Sequence, residues 1–143
     1  MQTINLGLPG GSLLKCILYD SASNERFRSI VNPYLTSVHG CIVVYDVTSL
    51  RSFIDCKTYC KQTILEKCKK DVKIMLIGTK TDLEYARVIR KEEGLKFANE
   101  NNYLFRETSC LNIASVIEAF ETFIIETFNN VKNKNDLLLN KNK

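Results

Sequence analysis

The stretch Val72-Lys-Ile-Met-Leu-Ile-Gly-Thr-Lys-Thr-Asp-Leu83 passes from apolar to polar within a few residues. Ile74 to Ile77 shows no polar alternation, the pattern of a strand covered on both faces in a parallel sheet. Gly78 then frees the backbone. Thr79, Lys80 and Asp82 follow, bringing a hydroxyl, an ammonium and a carboxylate to the carboxyl edge of that sheet. Open α/β sheets bind their ligands along that edge.

A carboxylate so placed accepts two parallel hydrogen bonds, and a lysine can lay its methylene stem along an aromatic plane while its ammonium stays in water. Asp82 and Lys80 together describe a reader of guanine, whose adjacent N–H donors satisfy the acid. A base presenting an acceptor there would leave a desolvated carboxylate unpaired. Thr-Lys-Thr-Asp is also ordinary loop composition after a buried strand, so on these residues alone both readings stand.

Upstream of this stretch, Gln2 to Leu6 reads as a short strand and Leu13 to Tyr19 as its partner. Pro9-Gly10 suits the centre of a type II turn between them. The glycines of Gly7-Leu-Pro-Gly-Gly-Ser12 are followed by no lysine, so they are not a phosphate loop. Asp20 ends the second strand. A helical pattern from Ser21 to about Leu35 follows, with Pro33 set to end or kink it. Cys41 to Tyr45 is a second wholly apolar strand, delivering Asp46. Thr48 or Ser49 can then cap a helix from about Leu50 to Cys68.

Downstream, a loop through Arg87 leads to a polar helix over Lys91–Asn99, weakened by Gly94. Tyr103 to Glu107 is a last short strand, ending in Thr108-Ser109-Cys110-Leu111. Asn112 can cap a final helix whose apolar stripe runs through Ile113, Val116, Ile117, Phe120, Ile124 and Phe128. From Asn129 onward Asn and Lys dominate, the composition of a disordered tail. The alternation of strands and helices after Leu13 implies right-handed crossovers and a mostly parallel sheet behind an antiparallel opening hairpin. Four strand ends would then bring Asp20, Asp46, Lys80 with Asp82, and Ser109 to one rim.

Composition bounds the alternatives. The chain has 143 residues, 45% hydrophobic and 25% charged, and suits one globular domain over 1–128 with the tail at 129–143. Its net charge of +4 is mild, and no basic stripe interleaved with aromatics marks a nucleic-acid surface. No run approaches the ~18 apolar residues of a membrane span, and the first residues are not a signal peptide. The six cysteines show no Cys-x-x-Cys pair for zinc and are expected reduced. Cys56 and Cys60 share a helical face with Phe53 and Ile64, as core residues do.

With these segments in order, the chain resembles the small GTPases of the Ras superfamily, nearest to the Rab branch. The matching residues are Leu18-Tyr-Asp-Ser-Ala-Ser-Asn-Glu-Arg-Phe-Arg-Ser-Ile30, Val38-His-Gly-Cys-Ile-Val-Val-Tyr-Asp-Val-Thr48, Ile77-Gly-Thr-Lys-Thr-Asp-Leu83 and Glu107-Thr-Ser-Cys110. The resemblance implies a P-loop-NTPase-like, doubly wound α/β fold that binds GTP or GDP. It makes Asp82 the partner of the guanine edge and Lys80 the cover of the base. Thr79 stands where most members carry Asn, Ser109 and Cys110 where they carry Ser-Ala, and Leu111 where lysine is frequent.

The resemblance further makes Asp20 the aspartate that holds Mg²⁺ beneath the phosphates. Ser23 falls at the glycine that meets the terminal phosphate. Asn24 stands in for the glutamine that positions the attacking water, one methylene shorter, so hydrolysis is expected to be weak or absent. Phe27, Arg28, Ile30 and Tyr34 resemble the switch surface on which Rab effectors and exchange factors dock.

The family's first strand, phosphate loop, first helix and first switch have no counterpart before Gln2, so the sheet is expected to lack its first strand and helix. The chain ends Leu139-Asn-Lys-Asn-Lys143 without prenylated cysteines, and no lipid anchor is expected. The implied setting is cytoplasmic, peripheral to endomembranes, in vesicle traffic. Two alternatives stay open: a nucleotide-independent interaction module, or a fragment of a longer GTPase.

Overall fold

Hydrogen-bond ladders divide the strands into two sheets, an antiparallel opening hairpin and a parallel sheet, as a fold lacking its first strand implies. A computed structural model gives the fold, with residues 1–7, 13–21 and 33–141 described and side chains to residue 134. Strand β1 (Gln2–Gly7) pairs antiparallel with β2 (Leu13–Leu18), Gln2 opposite Leu18 and Gly7 opposite Leu13. The turn expected at Pro9-Gly10 lies outside the described residues. Strands β3 (Gly40–Asp46), β4 (Lys73–Thr79) and β5 (Leu104–Glu107) form a separate parallel sheet in the order β3-β4-β5. The opening hairpin is hydrogen-bonded to none of these three.

Strand β4 is central and buried from Ile74 to Gly78, as its unbroken apolar run requires. One face of the sheet is covered by a helical arm: α1 (Leu50–Tyr59), a π-helical turn (Cys60–Ile64) and the short α2 (Leu65–Lys67). The Ser49 hydroxyl caps α1 by accepting from the Ser52 N–H at 3.2 Å. Phe53, Cys56, Cys60 and Ile64 are all buried on this arm, so the cysteines serve as core. Helix α3 (Lys91–Glu100) covers the rest of that face, its first turn closed by Glu93 accepting from the Arg90 N–H at 3.0 Å.

Helix α4 (Ile113–Lys141) covers the opposite face, with Met75 and Ile77 of the sheet packed against Ala119 and Phe123. The expected stripe is rotated: Ile113 and Ile117 stay more than half exposed, and the buried line runs through Ala119 and Phe123. A small residue at 119 lets the helix approach the sheet closely. Helix α4 runs on past Phe128, where Asn130 donates to the Asp71 carbonyl at 2.8 Å and Lys134 pairs with the Asp71 carboxylate.

Candidate functional site

Each parallel strand ends at the same rim and brings polar groups to it. Thr79, the last residue of β4, donates its hydroxyl to the Tyr45 carbonyl of β3 at 3.0 Å, while its own carbonyl accepts the Val47 N–H at 3.1 Å. The ends of β3 and β4 are thereby stitched together beyond the ladder. Lys80 follows with φ of 64°, a left-handed conformation uncommon for a residue with a side chain, and it turns the backbone sharply into the loop. The Lys80 carbonyl then accepts the Leu83 N–H at 3.0 Å, closing a turn around Asp82.

The Lys80 ammonium lies 2.6 Å from Asp46 Oδ2 at the end of β3, and the Thr48 hydroxyl and N–H donate to Asp46 Oδ1 at 2.6 and 2.8 Å. Desolvation pushes the Asp46 carboxyl up, but the bonds from Lys80 and Thr48 outweigh it and hold the pKa below the usual carboxylate value. The same pair raises the Lys80 pKa through the bond to Asp46. Lys80 therefore remains a cation with its stem exposed along the rim.

Asp82 is exposed, and its Oδ1 accepts from the Ser109 hydroxyl beyond the end of β5. Ser109 is buried, and its Oγ in turn accepts the Leu111 N–H at 3.0 Å. Among the described residues none donates to Asp82 Oδ2. The Ser109 bond thus orients the carboxylate and leaves one oxygen available. The Thr81 N–H reaches the Thr108 carbonyl at 3.4 Å, joining the two loops a second time. Cys110 and Leu111 stand exposed beside the carboxylate.

Arg87 braces this junction. It donates to Glu107 Oε1 at 2.7 Å and Oε2 at 3.2 Å, to Glu84 at 2.8 Å and to the Ile89 carbonyl at 3.1 Å, so the loop after Asp82 is clamped to the residue that precedes Thr108. Sequence reading places Arg87 only at the end of a loop. Its partner lies twenty residues on, and no local spacing announces such a pair.

Thr79, Lys80, Asp82, Ser109, Cys110 and Leu111 are thus brought together, with Asp46 joining them as expected. Asp20 is exposed two residues beyond the end of β2, without a bond to any described residue. No group of three or more His, Cys, Asp or Glu side chains among the described residues could hold a metal ion. Ser23, Asn24, Phe27, Arg28 and Ile30 lie outside the described residues. Tyr34 is exposed and stacks on Tyr19, with ring centroids 4.6 Å apart.

No helix among the described residues is long and apolar enough to cross a membrane. The Ras family profile matches residues 3–129. The GTP-binding protein ypt3 of Schizosaccharomyces pombe is 38% identical over 121 residues, which cover 85% of this chain and 56% of that protein. Ras-related protein RABA5b of Arabidopsis thaliana is 39% identical over 124 residues, covering 87% and 57%. Ras-related protein Rab-11C of Dictyostelium discoideum is 33% identical over 121 residues, covering 85% and 54%. The chain spans a little over half the length of these relatives. With its parallel sheet, its helices on both faces and this breadth of sequence identity, the chain belongs to the Ras family, in its Rab-like branch.

Proposed function

We propose that this chain is a guanine-nucleotide-binding domain of a Rab-like vesicle-traffic switch, in which Asp82 reads the base. The observation that carries the reading is the Asp82 carboxylate, oriented by Ser109 through one oxygen and open at the other. Guanine offers two adjacent N–H donors to such a group, while the Lys80 stem covers one face of the ring and the Leu111 side chain borders it. The resemblance of the chain to a protein named for GTP binding points the same way.

Residues 1–143 contain no Gly-x-x-x-x-Gly-Lys-Ser/Thr run to cradle phosphates. The isolated polypeptide accordingly recognises the base more than the triphosphate, binds GTP weakly and hydrolyses it slowly, with Asn24 a short substitute for a water-positioning glutamine. Effectors or exchange factors would meet the segment after Asp20, where Tyr34 already stands exposed on Tyr19. The setting is the cytoplasmic surface of endomembranes.

Titration of the ¹⁵N-labelled chain with millimolar GMP and AMP tests the reading. Amide shifts confined to residues 79–83 and 108–111, with GMP and not AMP, are expected, and Asp82→Ala should abolish them. Equal response to both nucleotides, or none at these positions, would overturn the base reading. Calorimetry with GTP and Mg²⁺ tests the weak affinity separately: a Kd of about 1 μM or tighter, worth ~8 kcal/mol, would show that the phosphates are held after all.

A further inference from the structure

At the end of the sheet opposite the candidate rim, cysteines from three elements converge. Cys41 is the second residue of β3, and Cys68 is the residue that ends α2. Their sulfurs stand 3.8 Å apart. Cys56 and Cys60 lie deeper, both fully enclosed by the core beneath the arm. Cys16 sits on β2, and Cys110 is exposed near the rim.

We propose that Cys41 and Cys68 form a reversible disulfide, an oxidative modification site that pins the end of the helical arm to the base of β3. Two sulfurs at 3.8 Å are in van der Waals contact and need to approach by about 1.8 Å more to bond. Cys41 is held in a strand paired along its whole length with β4, so it moves little. Cys68 follows a helix of only three residues and leads into the turn before β4 with an extended backbone, its N–H donating to the Ile64 carbonyl at 2.9 Å. The competing pair fails on geometry. Cys56 and Cys60 lie one helical turn apart, where Cβ atoms are about 5–6 Å from each other, beyond the ~4.5 Å a disulfide tolerates.

Burial raises the thiol pKa at both positions, more strongly at Cys41, where Cys68 and Cys60 add to it. Each is therefore mostly protonated at neutral pH, so its reaction with peroxide is slow. Cys68, the more accessible, loses its proton to water, and its thiolate attacks one oxygen of hydrogen peroxide. The O–O bond breaks, giving a sulfenic acid and hydroxide, which takes up the released proton as water. The Cys41 sulfur then attacks the sulfenic sulfur. The S–O bond breaks, and the hydroxyl leaves as water with the Cys41 proton. Two thiols lose two electrons in all, and one peroxide becomes two waters.

The cross-link closes a loop across 27 residue steps and so restricts the unfolded chain. Its expected signature is a rise in melting midpoint of about 10 °C. The test is stepwise addition of hydrogen peroxide to the reduced full chain, quenching with iodoacetamide, and mapping of linked peptides by mass spectrometry. A single intramolecular Cys41–Cys68 link, reversed by dithiothreitol and accompanied by the rise in midpoint, is expected. Cys110→Ser should leave both intact, and Cys68→Ser should remove both. The proposal is overturned if Cys41 and Cys68 remain alkylated while Cys16 or Cys110 oxidises, if Cys41 links to Cys60, or if the link forms with no rise in midpoint. Mapping on the unaltered chain decides even where a variant folds poorly.

Discussion

Gly94 lies where α3 crosses the sheet so closely that a side chain has no room. A Cβ there would stand 2.4 Å from the Tyr45 hydroxyl and 2.8 Å from the Phe105 ring. Helix propensity alone favours Gly94→Ala by about 1 kcal/mol, whereas forcing a methyl into a packed core costs about 1–3 kcal/mol. The second effect wins, because both neighbours are buried rings that cannot swing away. The expected outcome is a net loss of about 1 kcal/mol in urea unfolding. The Tyr45 hydroxyl is itself buried with no hydrogen-bond partner among the described residues, so Tyr45→Phe should cost almost nothing. In the double variant the contact with the hydroxyl is relieved while that with Phe105 remains, and a coupling of about 1 kcal/mol between the two sites is expected. Strict additivity would mean that the contact is not what excludes a side chain at position 94. From the sequence, Gly94 reads as a helix weakener. Its true role depends on Tyr45 and Phe105, which no local window contains.

Among the elements, the loop between β4 and α3 is braced by the Arg87 side chain. Arg87 and Glu107 are each only about one-eighth exposed, and their two parallel hydrogen bonds also satisfy Glu107 fully. Arg87→Ala leaves that carboxylate enclosed without a partner, a change that costs about 3 kcal/mol. Arg87→Lys should recover only part, since a point charge cannot bond both oxygens in a fork. Urea midpoints of the three proteins check the order: wild type, then lysine, then alanine. An alanine variant within 0.5 kcal/mol of wild type, the range ordinary for a surface pair, would show that the clamp is dispensable. Strand β4, the cap at Ser49 and the start of α4 after Asn112 were legible because their signals are local: an unbroken apolar run, a hydroxyl before a helix, an Asn whose Oδ1 accepts the Ser115 N–H at 3.4 Å. The π turn at Cys60–Ile64 was not, since widening a helix by one residue leaves no mark in composition. Nor was the reach of α4 past Phe128, which rests on Asp71 accepting from Asn130 and Lys134 across the fold.

Across the whole molecule, alternation of strand and helix was enough to indicate a parallel sheet with its polar groups at one rim, and the rim formed by Asp46, Lys80, Asp82 and Ser109 follows from it. The break between β2 and β3 agrees with the expected lack of the family's first strand, although periodicity alone reports which residues form strands and not which edges meet. That break sets an uneven distribution of stability. Strand β4 is bonded on both sides and buried on both faces, whereas the opening hairpin has six paired positions, no third strand among the described residues, and Leu13 and Ile17 largely in solvent. An isolated two-stranded hairpin is marginal in water. Its amides should therefore exchange by local opening, while those of Ile74 to Gly78 wait for global unfolding. Native-state hydrogen exchange should show the hairpin amides of Thr3, Asn5, Ile17 and Leu18 exchanging at least ~100-fold faster than those of Met75 to Ile77, a gap of about 2.7 kcal/mol in opening free energy. Protection of the hairpin equal to that of β4 would mean that the two sheets open as one cooperative unit. In that case the Asp82 rim and the segment leading from Asp20 would be mechanically linked despite the lack of a shared ladder.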